Sequence, residues 1–277
     1  MYIPFIATAL VAAISVSAQG KGKYPAGIVA DPNFPKHTVY APKDTSVKTP
    51  ILVWGESGCI NNGGVMSAFL TQIASQGVTV FANGPRSGGG GGQTLKNNLM
   101  KEALDILDTK ASDPKYAHLD LTRVAAGGQS CGGLEAAVMA LDKRVKFIGM
   151  FNQGGTDANK KGLPVPNNGN VPDGSKFNVP TFFFAGGPSD NPGQNGAKDY
   201  EKMPAGVPAW LGNYASRGHG GTYSEANGGT YGVVGANWVK FVFFGDKEAA
   251  EFFKAGKAAG LGWSGIKSKN LDKLPVS

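Results

Sequence analysis

Residues 123–141, RVAAGGQSCGGLEAAVMAL, pass from an apolar run through a knot of small residues into a helix-like pattern. That junction restricts the fold more than any other part of the chain. A strand and a helix joined by so many small residues cross at short range, because a missing Cβ lets two backbones approach closely. Gly128-Gln129-Ser130-Cys131-Gly132 also fits G-x-S-x-G, the sharp strand-to-helix turn that holds a serine hydroxyl out beyond the strand. Packing and chemistry make the same demand here, and five residues do not separate them.

The surrounding pattern continues the strand–helix alternation. Residues 19–49 form an opening segment with an edge strand near His37 to Tyr40. PILVWGES (50–57), GVTVFANGP (77–85), Arg123 to Ala126, VKFIGMF (145–151) and VPTFFFAGG (179–187) are short apolar runs of strand character, with PAWLGNY (208–214) as the last. Helical spacing of apolar residues covers 65–75, 94–110 (Leu95, Leu99, Ala103, Leu104 and Leu107 on one face), 132–141, 231–244 and 247–254. A Pro/Asn/Gly loop spans about 154–177. Strands separated by helices predict parallel β-α units, hence a single α/β domain (19–277) built on a doubly wound, mostly parallel sheet.

Composition agrees. The 277 residues are 41% hydrophobic with 15 Phe, enough for a sizeable core, and 42 Gly with 17 Pro demand many turns. Residues 1–18, MYIPFIATALVAAISVSA, have the apolar core and small-residue end of a secretory signal peptide, though without Lys or Arg at the start. The apolar run is short for a membrane anchor. We therefore expect a secreted, extracellular protein with no membrane anchor. The net charge of +7 is scattered over lysines without an arginine-rich or aromatic-interleaved patch, which argues against nucleic acid as a partner. A solvated basic surface is the plain alternative, with attraction to acidic polymers as an addition. Nothing sets an oligomeric state, and a monomer is the default.

In a doubly wound sheet, ligands sit at the carboxyl ends of the strands. Those ends carry Glu56-Ser57-Gly58-Cys59, Asn83-Gly84, Ser130, Gly186-Gly187-Pro188-Ser189-Asp190 and Arg217-Gly218-His219. The blocks VWGESGCINNGG, GGQSCGG, FFFAGGPSDNPG and GHGGTY together resemble secreted fungal α/β-hydrolases, related to dienelactone-hydrolase and cutinase/polyesterase-like serine esterases. The likeness runs from about residue 35 to 255. It implies an α/β-hydrolase fold and the catalytic residues Ser130 (nucleophile), Asp190 (acid) and His219 (base), with no cofactor. The substrate is then a small-molecule or polymeric ester.

Chemistry supports these roles. A serine hydroxyl needs a base, an imidazole suits that near neutral pH, and a carboxylate fixes the imidazole tautomer. The other histidines, His37 and His118, lie before the elbow in the wrong region. Asp157 is an alternative acid at another strand end, while Asp173 and Asp199 read as solvated charges. The oxyanion hole takes one backbone N–H from Cys131 and another from Glu56 or Ser57. Glu56-Ser57 stands where smaller or amide residues are expected. That departure supports the rival reading, a catalytically silent protein of the same fold that binds a cell-wall polymer or small ligand.

The strands before Cys59 and before the elbow are neighbours in this fold, so a Cys59–Cys131 disulfide is expected in a secreted chain; two buried thiols are the alternative. Two cysteines and three scattered histidines make no metal site. The run Gly88 to Gly92 lacks the Lys-Ser/Thr of a phosphate loop and is expected on the rim of the site. Trp54, Trp210 and Tyr223 are candidate substrate-binding residues, against the ordinary reading of aromatics as core. With no long apolar insertion after the elbow, an open cleft is expected.

Overall fold

Apolar runs such as PILVW and TFFFA cannot face water on either side, so they pair in the middle of a sheet covered on both faces. In the computed structural model, which describes residues 20–94, 98–160 and 169–277, they do so. Residues 1–18, read above as a signal peptide, and Leu95 lie outside the described residues. One sheet contains β1 (Ala26–Val29), β2 (His37–Pro42), β3 (Thr49–Gly55), β4 (Thr79–Asn83) and β5 (Leu119–Gln129). It continues through β6 (Val145–Phe151), β7 (Thr181–Ala185), β8 (Ala209–Asn213) and β9 (Ser264–Lys269). The spatial order is β1-β2-β4-β3-β5-β6-β7-β8-β9. The six strands from β4 to β8 in that order run parallel, and β1, β2 and β9 are antiparallel additions at the edges.

The helices are α1 (Ser67–Ala74), α2 (Leu99–Thr109), α3 (Cys131–Met139), α4 (Asn191–Lys202), α5 (Gly229–Phe244) and α6 (Lys247–Lys254). Side chains alternate across the strands and divide the core in two. Leu52, Trp54, Phe182 and Phe184 join α1, α5 and α6 on one face. Ile51, Val53 and Phe183 join α2, α3 and α4 on the other. This is the doubly wound arrangement expected from the sequence.

The edges differ from expectation. β8 was expected to be last, but β9 follows it as an exposed edge strand. Its sequence, SGIKSK, has a single large apolar residue, so no hydrophobic period marks it. β1 is likewise short and half exposed, and it takes the edge expected for His37 to Tyr40, which lie in β2, fully buried one place inside. Helix α2 begins at Leu99, not near Thr94, because the Asn98 side chain accepts the Lys101 N–H as an N-cap.

The order of strands fixes where a site can form. From β3 the chain passes through α1 to β4 on one side. It then returns through α2, on the opposite face, to β5 on the other side of β3. The crevice at the carboxyl ends of β3 and β5 is thus the point where winding reverses. A disulfide joins Cys59, in the 3-10 turn Ser57–Cys59 after β3, to Cys131, the first residue of α3.

That bond closes 72 residues of chain and in the chain-entropy model stabilises the fold by roughly 4 kcal/mol. Reduction is therefore expected to lower the urea midpoint without a large change in the slope of the transition. Matched unfolding curves with and without dithiothreitol measure the shift. Thiol titration of the denatured, unreduced protein should find no free thiol.

Candidate active site

The site begins with a backbone constraint. Ser130 has φ 55° and ψ −123°, a conformation costly for any residue with a Cβ. Such strain persists only where the surroundings impose it. Here a Cβ on Gly128 would lie 2.2 Å from the Gly132 carbonyl oxygen, and one on Gly132 would lie 2.1 Å from the Gly55 carbonyl. The ends of β3 and β5 and the start of α3 therefore meet backbone to backbone. The Ser130 side chain is lifted out at the carboxyl end of β5, partly exposed.

His219 reaches it from the loop after β8. Its Nε2 is 2.8 Å from Ser130 Oγ, and its Nδ1 is 2.7 Å from Asp190 Oδ1. Gln129 Nε2 donates to the His219 carbonyl at 2.8 Å, so the residue preceding the serine also anchors the histidine loop. The three side chains singled out as nucleophile, base and acid are thus in one hydrogen-bonded line.

Asp190 is fully buried. Burial alone would raise its pKa, but donors to the ionised form outweigh it: His219, Asn152, and the N–H groups of Gly186 and Gly193. The carboxyl is therefore held below its ordinary value and is charged at neutral pH. Asn152 Nδ2 and Gly186 N–H reach Oδ2 at 2.9 and 2.7 Å, and Gly193 N–H reaches Oδ1 at 3.1 Å. The last bond makes Asp190 the N-cap of α4, where the helix dipole also favours an anion.

Asn152 is a residue that sequence reasoning missed. Besides Asp190, it bonds the Gly218 carbonyl at 3.2 Å and the Tyr231 hydroxyl at 3.0 Å, and its Oδ1 accepts from Tyr223. It ties the acid to the chain just before the base. Its signal was its place directly after β6, at the same end of the sheet as the other site residues, with φ 53°.

The competing carboxylates and histidines are elsewhere. Asp157 forms an ion pair with Lys198, and Asp173 one with Lys202. Asp199, expected to be solvated, is fully buried and accepts the N–H groups of Gly155, Thr156 and Gly174, because it stitches the loop after β6 onto α4. His37 Nε2 is 2.8 Å from the Leu99 carbonyl, and His118 lies before β5.

The aromatic expectation is corrected. Trp54 and Trp210 have no exposed surface and Tyr223 has almost none. Trp54 packs on Phe69 and Phe151, Trp210 on Phe184 and Phe253, and Tyr223 on Tyr231. Strand alternation turns both tryptophans into the layer beneath the sheet, away from any ligand.

The first N–H of a helix has no intrahelical partner, so Cys131 at the start of α3 presents one beside Ser130. The Glu56 amide nitrogen lies against Gly132, 2.7 Å from where a Cβ would stand. The Glu56 side chain, by contrast, is fully buried, and neither carboxyl oxygen has a hydrogen-bond partner among the described residues. Burial, opposed by the Trp54 indole N–H and reinforced by Glu135, pushes its pKa well above the ordinary value. The glycine run Gly88 to Gly92 contacts this region: Gly92 N–H donates to Gly58 O at 2.8 Å, and the Asn61–Gly89 bridge pairs the two loops.

No cluster of three or more metal-ligating side chains occurs among the described residues, and none of their helices is long and apolar enough to cross a membrane. No protein-family model matches the chain, and no curated protein matches it.

Proposed function

We propose that the chain is a secreted serine hydrolase of carboxylic esters with an α/β-hydrolase fold. The observation that carries this reading is the line from a strained, partly exposed Ser130 through His219 to a buried, charged Asp190. His219 Nε2 takes the hydroxyl proton as Oγ attacks the ester carbonyl. Negative charge then develops on the carbonyl oxygen, where the Cys131 N–H and an N–H of the turn after β3, from Glu56 or Ser57, donate to it. His219 passes the proton to the departing alcohol. Water, deprotonated by the same imidazole, releases the acid from Ser130. Asp190 keeps the Nδ1 proton in place and stabilises the imidazolium.

The disulfide fits an oxidising compartment and so supports secretion. His219 is 37% exposed, which suits an open cleft and a small or polymeric ester. The likeness to fungal dienelactone-hydrolase and cutinase-like enzymes supports the same substrate class. The Glu56 carboxyl is buried, with burial raising its pKa, and it is the Glu56 amide that lies against Gly132, which suits a donor role for the turn.

A fluorophosphonate probe should label the protein, and Ser130→Ala should abolish both labelling and hydrolysis of p-nitrophenyl esters while leaving the unfolding midpoint nearly unchanged. Absence of labelling in the wild type would sink the catalytic reading and leave a ligand-binding one.

Asp190→Asn keeps the shape but lets the amide favour the wrong imidazole tautomer. Its expected cost in kcat is on the order of 10⁴-fold. Asp157→Asn, at an ion pair away from His219, should leave kcat within about twofold on the same reasoning. Steady-state kinetics of the two variants distinguish the acid.

A further inference from the structure

Beneath the turn that follows β3 lies a second buried carboxylate that the proposed reaction does not use. Glu135 sits four residues after Cys131 on α3 and is 5% exposed. It occupies the space left by the missing side chain of Gly55: a Cβ there would stand 2.6 Å from Glu135 Oε2. Its two oxygens reach two different loops. Oε1 accepts from Thr94 Oγ1 at 2.5 Å, and Oε2 accepts from Asn83 Nδ2 at 3.1 Å.

Thr94 carries the connection onward. With its hydroxyl proton given to Glu135, its backbone N–H donates to the Cys59 carbonyl oxygen at 3.2 Å. Cys59 ends the turn whose first residues offer the second oxyanion donor, and its own N–H closes that turn on Glu56 O at 3.1 Å. The turn is therefore held from two sides, by the disulfide to α3 and by Thr94, which Glu135 holds from the same helix.

We infer that Glu135 is a positioning residue for the oxyanion hole, holding the turn after β3 through Thr94 in register with the serine elbow. The inference rests on the serine-hydrolase reading. Both bonds place a donor against the carboxylate, so they are charge-assisted when Glu135 is ionised and weaker when it is protonated. Its surroundings are Gly55 from β3, Asn83 from β4 and Thr94 from the glycine-rich segment. Glu56 is the ionisable group that interacts with it, and Tyr40 interacts in turn with Glu56 and Arg86. Burial pushes the Glu135 carboxyl up to about 7, with Thr94 and Asn83 opposing that rise. The kcat profile then carries a step near pH 7 that belongs to Glu135.

Glu135→Gln tests this in the full mature chain. A glutamine can accept from Thr94 and donate to a reoriented Asn83 amide, imitating the protonated acid at every pH. With p-nitrophenyl acetate, kcat should fall roughly 10-fold above pH 7, less than for loss of a whole oxyanion donor, with KM unchanged and the step near pH 7 gone. Thr94→Val should give a similar loss in kcat, and Thr94→Ser should restore it. That pair decides the matter if Glu135→Gln does not fold.

A readout independent of turnover is thermal stability. In the unfolded chain Glu135 releases its proton near 4.5, while in the fold it holds the proton to about 7, so wild-type stability declines as pH rises between them. That decline should be shallower in Glu135→Gln. A wild type that labels with fluorophosphonate, paired with variants whose kcat and pH step are unchanged or whose loss is in KM, overturns the inference alone. A wild type that does not label overturns the hydrolase reading, and this inference with it.

Discussion

The contact on which the rest of the structure depends is that of three glycines. At Gly55, Gly128 and Gly132 the ends of two adjacent strands and the start of α3 touch backbone to backbone, at distances no Cβ can occupy. Everything chemical follows from this crossing. It forces Ser130 into its strained conformation, brings the first N–H of α3 beside the turn after β3, and leaves under Gly55 the hollow that Glu135 fills. Strain at one residue is tolerated because the parallel strands on either side, buried on both faces, hold the crossing in place.

The electrostatics of the site are arranged around a different hub. Asp190 is an anion without solvent, which is affordable only because four donors converge on it. Asn152 supplies one of them and holds the Gly218 carbonyl beside His219 as well. Acid and base are thus fixed relative to each other by a neutral amide and, at the other end, by Gln129 bonding the His219 carbonyl. The imidazole retains little freedom except to exchange protons.

The alternation of apolar runs showed the doubly wound sheet, and the elbow showed the place where the two halves of the winding meet. The serine, aspartate and histidine were legible because each follows a strand at the same end of the sheet. What failed was side-chain direction at single positions. Trp54 stands one residue before the strand-ending Gly55, and only the pairing register of β3 reveals that it points beneath the sheet. Asn152 and Glu135 were illegible for another reason: each acts through partners 38 to 79 residues away for Asn152, and 41 and 52 residues away for Glu135. β9 escaped because an exposed edge strand has no hydrophobic period to show.

The two buried glutamates then stop looking alike. Glu56 keeps its backbone N–H against Gly132 and its side chain in the interior, where burial pushes the carboxyl pKa well above its ordinary value. Glu135 has the opposite logic. Removing its carboxyl would leave the buried Asn83 amide without that acceptor and free Thr94 from α3, so one side chain ties two loops to the helix. A residue that satisfies several loops at once restricts their relative motion, and these loops are the ones that frame the serine. The carboxylate that looked out of place in the sequence ties no loop, and the carboxylate that passed as part of a helix ties two.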